Sequence, residues 1–163
     1  MSDFVSSVKE IPYAQATVYR QLQDLRNLEA LRSRMNDPLI AERLSQQVGK
    51  DKAEQFKAQI QNLKFTADSL SAETPLGAVT LAIVERDEPK CIKFEAQGSP
   101  IPLNMWIQLL PNGDAASRLR LTIRAELNFF IRKMVEGKLQ SGVEQLAEIL
   151  AHIPYGGLDT IQV

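Results

Sequence analysis

Residues suited to proton transfer or nucleophilic attack are few in this chain and widely spaced. It holds one histidine, His152, and one cysteine, Cys91. A general base needs a partner that orients it, and the sequence nominates none for His152. That residue ends an apolar helical pattern just before Pro154, where unpaired carbonyls favour a cation, which is a sufficient structural role. Cys91 sits in a strand pattern with no cysteine or histidine near it and no helix terminus to lower its pKa, so it reads as a small strand residue. A zinc site built on these two would need two distant carboxylates as well, and nothing has metal-ligand spacing. Asp87 and Glu88 are adjacent in a turn, where acidic residues are common, and are no general acid/base pair. Phosphate loops, nucleophile elbows and dinucleotide fingerprints are absent. No catalytic residue, metal or cofactor is implied.

A second group of residues is patterned along strands. Arg118, Arg120 and Arg124 recur at strand period, with Glu126 on the same face and Lys93 and Glu95 on a nearby strand. Cross-strand ion pairing on a solvated face is the expectation, not an anion site. Trp106, the single tryptophan, shares a strand face with Asn104 and Gln108, opposite Met105, Ile107 and Leu109. Two readings stay open: an indole and two amides lining a pocket, or a surface tryptophan at a partner or dimer contact.

A chain of 163 residues is the size of one domain that buries its own core. Apolar residues make up 44% and charged residues 24%, ordinary for a globular protein. Lys and Arg number 19 against 20 Asp and Glu, a net charge of −1, without the basic excess of a nucleic-acid binder. One cysteine excludes an internal disulfide and fits a reducing compartment. Met1 to Glu10 lacks a basic segment followed by an apolar run, so it does not read as a signal peptide. No apolar run approaches the ~20 residues of a membrane-spanning helix. A cytoplasmic protein is expected.

The elements that must position these residues follow from periodicity. Phe4 to Ile11 alternates as a first strand, stopped by Pro12. Val18, Leu22, Leu25, Leu28 and Leu31 then recur at helical steps, and Asp24 caps a second helix after a bend. Asn36-Asp37-Pro38 opens a further helix with Ile40, Leu44 and Val48 on its apolar edge and Gly49 as its stop. Asp51 and Glu54 resemble a capping box for another, through Ala53, Phe56, Ile60 and Leu63. Strands are expected over Phe65 to Glu73, Ala78 to Arg86, Cys91 to Gln97, Leu103 to Leu110 and Arg118 to Leu127. The connections are short: Thr74-Pro75-Leu76-Gly77, Asp87 to Lys90, Gly98 to Pro102 and Pro111 to Asp114. Such lengths make antiparallel hairpins nearly compulsory. Phe129 to Ile153 is the long closing helix, with Ile131, Met134, Val135, Leu139, Val143, Leu146, Ile149 and Leu150 as its apolar face. The class is α+β: a curved antiparallel sheet of about six strands wrapped around a long C-terminal helix.

Strand, two helices, a run of antiparallel strands and one long helix resembles the START-like, or helix-grip, superfamily, which includes pollen-allergen-like and polyketide cyclase and dehydratase-like proteins. Val8-Lys9-Glu10-Ile11-Pro12-Tyr13-Ala14 with Val18-Tyr19 and Leu22-Gln23-Asp24-Leu25 resembles the family's opening strand, proline turn and helix ending in aspartate. Pro89-Lys90-Cys91-Ile92-Lys93-Phe94 resembles its strand after a tight turn. The resemblance covers residues 1–155, with 156–163 as a loose tail, and departs from the family in a helical insertion at about 36–64. It implies an apolar cavity between sheet and helix that takes a small hydrophobic ligand. Candidate wall residues are Leu81, Ile83, Phe94, Met105, Ile107, Leu121 and Ile123 on strands, with Met134, Gly142, Val143 and Leu146 on the helix. Each aliphatic one is equally an ordinary core residue, and Gly142 marks either close packing or room for a ligand. Three functions stay open: a non-catalytic carrier of a small apolar or amphipathic ligand, an interaction module using the insertion or the sheet, with a homodimer as one form, and a cyclase- or dehydratase-like enzyme.

Overall fold

Alternating apolar strands joined by tight turns pair with their sequence neighbours, and the chain does this over most of its length. The computed structural model describes residues 2–33, 38–39, 42, 45–46, 49–61, 63–74, 77–99 and 101–151. Its elements are β1 (Ser2–Val5), β2 (Lys9–Ile11), α1 (Gln15–Leu22), α2 (Arg26–Ser33), α3 (Lys50–Gln61), β3 (Leu63–Phe65), β4 (Ser69–Thr74), β5 (Gly77–Asp87), β6 (Cys91–Gln97), β7 (Leu103–Pro111), β8 (Ser117–Ala125) and α4 (Phe129–Ala151). The strands form one open antiparallel sheet in the order β1-β8-β7-β6-β5-β4-β3, with β2 also pairing β8. The sheet thus has eight strands, more than the six expected, because two expected strands are each broken.

The first break falls at Ser6–Val8, inside the strand expected over Phe4 to Ile11. Ser6 is buried there; its hydroxyl accepts the Leu121 amide at 2.9 Å and donates to the Ser7 carbonyl at 2.9 Å. The side chain replaces one ladder bond, so the strand kinks without losing β8. The second break divides Phe65 to Glu73. The Thr66 and Ser69 hydroxyls lie 2.7 Å apart and the Thr66 amide donates to the Ser69 carbonyl at 2.9 Å, closing a reversal without glycine or proline.

The bend between α1 and α2 falls at Asp24, whose carboxylate accepts the Arg26 amide at 3.1 Å and pairs with its guanidinium at 2.6 Å. The bend is also held from the sheet. A bulge at Val84 shifts the register between Ile83 and Glu85 and so turns Arg86 to the inner side. Arg86 donates to the Gln23 carbonyl at 3.0 and 3.1 Å, just beyond α1, and to Asp68 at 2.7 Å. A cation is favoured at that helix end. Gly49, at φ +89°, takes the left-handed conformation expected of a helix stop, and α3 follows it against α2, β3 and α4, with Ala53 in the core. The helix expected from Asn36 to Val48 lies mostly outside the described residues, as do Pro75-Leu76, His152 and the tail.

The long helix α4 lies against β8, β1 and β2. Its buried stripe is Val135, Leu139, Val143, Ala147 and Leu150. From residue 140 onward polar bonds pin it to the first two strands. Gln140 donates to the Val5 carbonyl at 2.9 Å, the Ser7 amide donates to Glu144 at 3.1 Å, and Lys9 lies 2.8 Å from Glu148 and 3.6 Å from Glu144. Hydrogen bonds from Ser7 hold the Glu144 carboxyl below its ordinary pKa, and the Glu148 contact raises Lys9. A lowered acid contributes stability above its unfolded pKa that is lost as pH falls through the folded value. A raised lysine contributes below its unfolded pKa and is lost as pH climbs through the folded one. The latch is therefore complete between roughly pH 5 and pH 10. Glu144→Gln is expected to lower unfolding free energy by ~0.5–1 kcal/mol at neutral pH in urea titrations. The deficit should shrink as pH falls through the folded-state pKa of Glu144, which lies below the ordinary glutamate value.

Candidate ligand site

The inner face of the sheet carries one straight apolar row. Phe4 pairs with Ile123, Ile123 with Met105, Met105 with Phe94, and Phe94 with Ile83. Ile107 and Leu121 stand in the next row with Ile92, and Leu81 lies one step from Ile83 on the same face. The seven strand residues nominated for a cavity wall lie on this one inner face. Strand parity places all seven, since Leu81 and Ile83 both precede the Val84 bulge.

Enclosure is uneven along this face. At the end where α1 packs on β7, Ile92, Ile107, Leu109, Leu119 and Leu121 are sealed from solvent, as are Tyr19, Leu22, Leu25 and Leu28. Gln15 donates to the Leu109 carbonyl at 3.0 Å, and the Tyr19 hydroxyl donates to the Cys91 carbonyl at 3.4 Å. Burial raises the Tyr19 pKa, so the phenol stays protonated as that donor. In the middle of the row Phe94 and Met105 are 0% exposed. Beside them in the row Ile123 is 9% exposed and Ile83 partly buried; toward the other end Leu81 is 8% exposed and Ala72, Ala96, Ile101, Leu127 and Ile131 are only partly buried, although Leu103 and Ala125 stay buried. This looser end lies beside the start of α4. There Asn128 accepts the Ile131 amide at 2.9 Å, and the Glu126 amide donates to the Pro102 carbonyl at 3.1 Å, bringing the helix start onto the β6–β7 loop. Phe129 and Phe130 stand exposed at that rim, edge to face at 5.8 Å, with the Lys133 ammonium 4.5 Å from the Phe129 ring. These exposed aromatics were not among the residues nominated from the sequence; the available signal was two consecutive phenylalanines beginning a helix, more apolar surface than one helical stripe buries.

On the helix Val143 is fully buried and Leu146 half-buried, while Met134 is 75% exposed and Gly142 is also exposed. The inward assignment of Met134 and Gly142 is corrected here. The buried stripe runs through 135, 139, 143 and 147, and each of the two lies one residue, or about 100° of helical rotation, away from it. A Cβ placed on Gly142 meets nothing within 4 Å, so this glycine neither permits close packing nor leaves room for a ligand.

Trp106 is on the outer face. Its ring lies between Lys93, 5.6 Å from the centroid, and Arg124, 5.5 Å away. Of the arginine stripe, Arg124 is ion-paired, at 2.8 Å, to Asp3 instead of a neighbouring-strand glutamate, and Arg120 donates to Gln108 at 2.8 Å. Burial and the carboxylates of Asp87 and Glu85 raise the Cys91 pKa, the opposite of an activated nucleophile. Among the described residues no three His, Cys, Asp or Glu side chains gather as a metal site, and no helix is long and apolar enough to cross a membrane.

Neither a protein-family model nor a curated protein matches this sequence. Solved structures do match its shape. A Thermus thermophilus protein aligns at TM-score 0.58 and 17% identity over 99% of this chain and 100% of its own. Norcoclaurine synthase from Thalictrum flavum, in complex with dopamine and hydroxybenzaldehyde, aligns at TM-score 0.55 and 10% identity over 92% of this chain and 85% of its own. A Thermobifida fusca protein solved in solution aligns at TM-score 0.55 and 16% identity, over 98% and 96%. The fold is thus of the helix-grip type, an antiparallel sheet against a long C-terminal helix.

Gly142→Ala should raise thermal stability, by ~0.5–1 kcal/mol, because the new methyl enters open space and the helix loses a flexible interior residue. A loss of stability on calorimetry would mean that the glycine is held by a contact.

Proposed function

We propose that the protein is a non-catalytic carrier of a small apolar or amphipathic molecule held between the looser end of the sheet's inner face and the first half of α4. The observation that carries this reading is the uneven enclosure of the inner apolar face: Phe94 and Met105 are sealed, Leu81 and Ile123 keep a residual 8% and 9% exposure, and Ile83, Ala96, Ile101, Leu127 and Ile131 are only partly buried. Among the described residues the polar bonds between α4 and the first strands begin at Gln140, so the first half of the helix is held there by apolar packing alone. Such packing separates without breaking a polar bond, which is what a ligand entering beside Ile131 requires. A cytoplasmic location goes with this reading.

A second reading, enzymatic, draws support from the likeness to norcoclaurine synthase, an enzyme. The row itself is wholly apolar and offers no acid or base, which favours the carrier. A third, contact with a protein partner or a second copy, rests on the exposed Phe129, Phe130 and Met134.

The test is stoichiometric uptake of a neutral fluorescent naphthylamine by the folded chain. Ile123→Trp should fill the looser end and cut uptake at least tenfold with cooperative unfolding retained. Val143→Trp, placed in the sealed stretch, should cost stability by overpacking, about 1–3 kcal/mol. Uptake untouched by Ile123→Trp would sink the carrier reading, and turnover without uptake would favour the enzyme.

A further inference from the structure

The outer face of the sheet holds a separate concavity. A groove of about 320 Å³ is lined by Val8, Lys90, Cys91, Gln108, Leu109, Leu110, Arg118, Leu119 and Arg120. Its volume is in the range of small-molecule sites. Three of its lining residues are cations and none is a carboxylate. That is a local exception in a chain of net charge −1. Several other cations of the fold are ion-paired, among them Arg124 with Asp3, Arg86 with Asp68 and Lys9 with Glu148. Lys90, Arg118 and Arg120 make no ion pair among the described residues. Glu10 stands opposite Arg118 in the β2–β8 register without closing a salt bridge. The groove also carries apolar surface, for Val8 and Leu110 are among the large exposed apolar residues of the chain.

We propose that this groove is a second ligand site, which takes a small amphipathic carboxylate. The carboxylate sits between the Arg118 and Arg120 guanidiniums, a geometry that arginine forks match with paired hydrogen bonds, while Lys90 adds charge from the β5–β6 turn. The aliphatic body lies over Val8 and Leu110. A smaller depression of about 120 Å³ adjoins it, lined by Glu85, Asp87, Cys91, Lys93 and Trp106, so that Cys91 belongs to both. The two carboxylates there turn an anionic headgroup away and set its direction, toward β8. This site is on the opposite face of the sheet from the Phe4–Ile83 row, so the two can be tested apart.

Octanoate is the probe, titrated into the full chain by calorimetry with Trp106 emission and maleimide labelling of Cys91 as local readouts. One equivalent should bind, slow the labelling and weaken with added salt, as exposed charge contacts do. Acetate, which lacks the body, and octanol, which lacks the charge, should each bind at least tenfold more weakly. The double variant Lys90→Gln/Arg118→Gln should lose roughly tenfold in octanoate affinity, the scale of one charge-assisted contact. Ile123→Trp should leave it unchanged. Octanoate binding removed by Ile123→Trp, left intact by the double variant, matched by acetate or octanol, or without effect on Cys91 labelling would overturn the proposal. So would absence of binding.

Discussion

One helix cannot cover this sheet. Strands pack about 4.8 Å apart and a helix with its side chains is about 10 Å across, so α4 shields little more than the strands it touches, β8, β1 and β2. The remaining inner face must be closed by something else or stay partly open. At one end α1 and the start of α2 close it with Tyr19, Leu22, Leu25 and Leu28. At the other end the cover thins, and there the apolar row keeps residual accessibility. The candidate ligand site is thus a consequence of width: sheet exceeds helix, and the excess is covered well on one side only.

The polar bonds of α4 reinforce the asymmetry. Gln140, Glu144 and Glu148 engage Val5, Ser7 and Lys9, on the strands that α4 already covers and the break between them. The half of the helix beside the looser end has its Asn128 cap and its apolar stripe. Rigidity and access are in this way assigned to opposite ends of a single element, and neither requires a flexible loop.

Much of this was legible in the sequence, because strand parity is a strong signal when one face is dry. The alternation from Leu119 to Ala125 gave the inner face of β8, and the same parity put Trp106 opposite Met105. The turn at Asp87 to Lys90 and the cap at Asp24 were readable from residue type. Other features had no local signature. The breaks at Ser6 and at Thr66–Ser69 use hydroxyls where proline or glycine was sought, and the Val84 bulge becomes visible only when β5 is laid against β6. Met134 and Gly142 were placed inward because a helix with apolar residues on more than one side does not declare which stripe meets the sheet. The unequal enclosure of the row was out of reach, since it depends on where α1 docks.

An open sheet has two edges, and here both are brief. β3, at one end of the strand order, is three residues long with Lys64 exposed at its centre. At the other, β1 has four residues and β2, which also pairs with β8, three, with the break at Ser6–Val8 between them. A neighbouring chain seeking to extend the sheet would find too few free amides and carbonyls in line to hold a register, and a lysine in the path at β3. Brevity at the margins therefore guards the molecule against growing by strand addition into fibres, and it leaves faces, grooves and rims as the surfaces through which it can meet anything else.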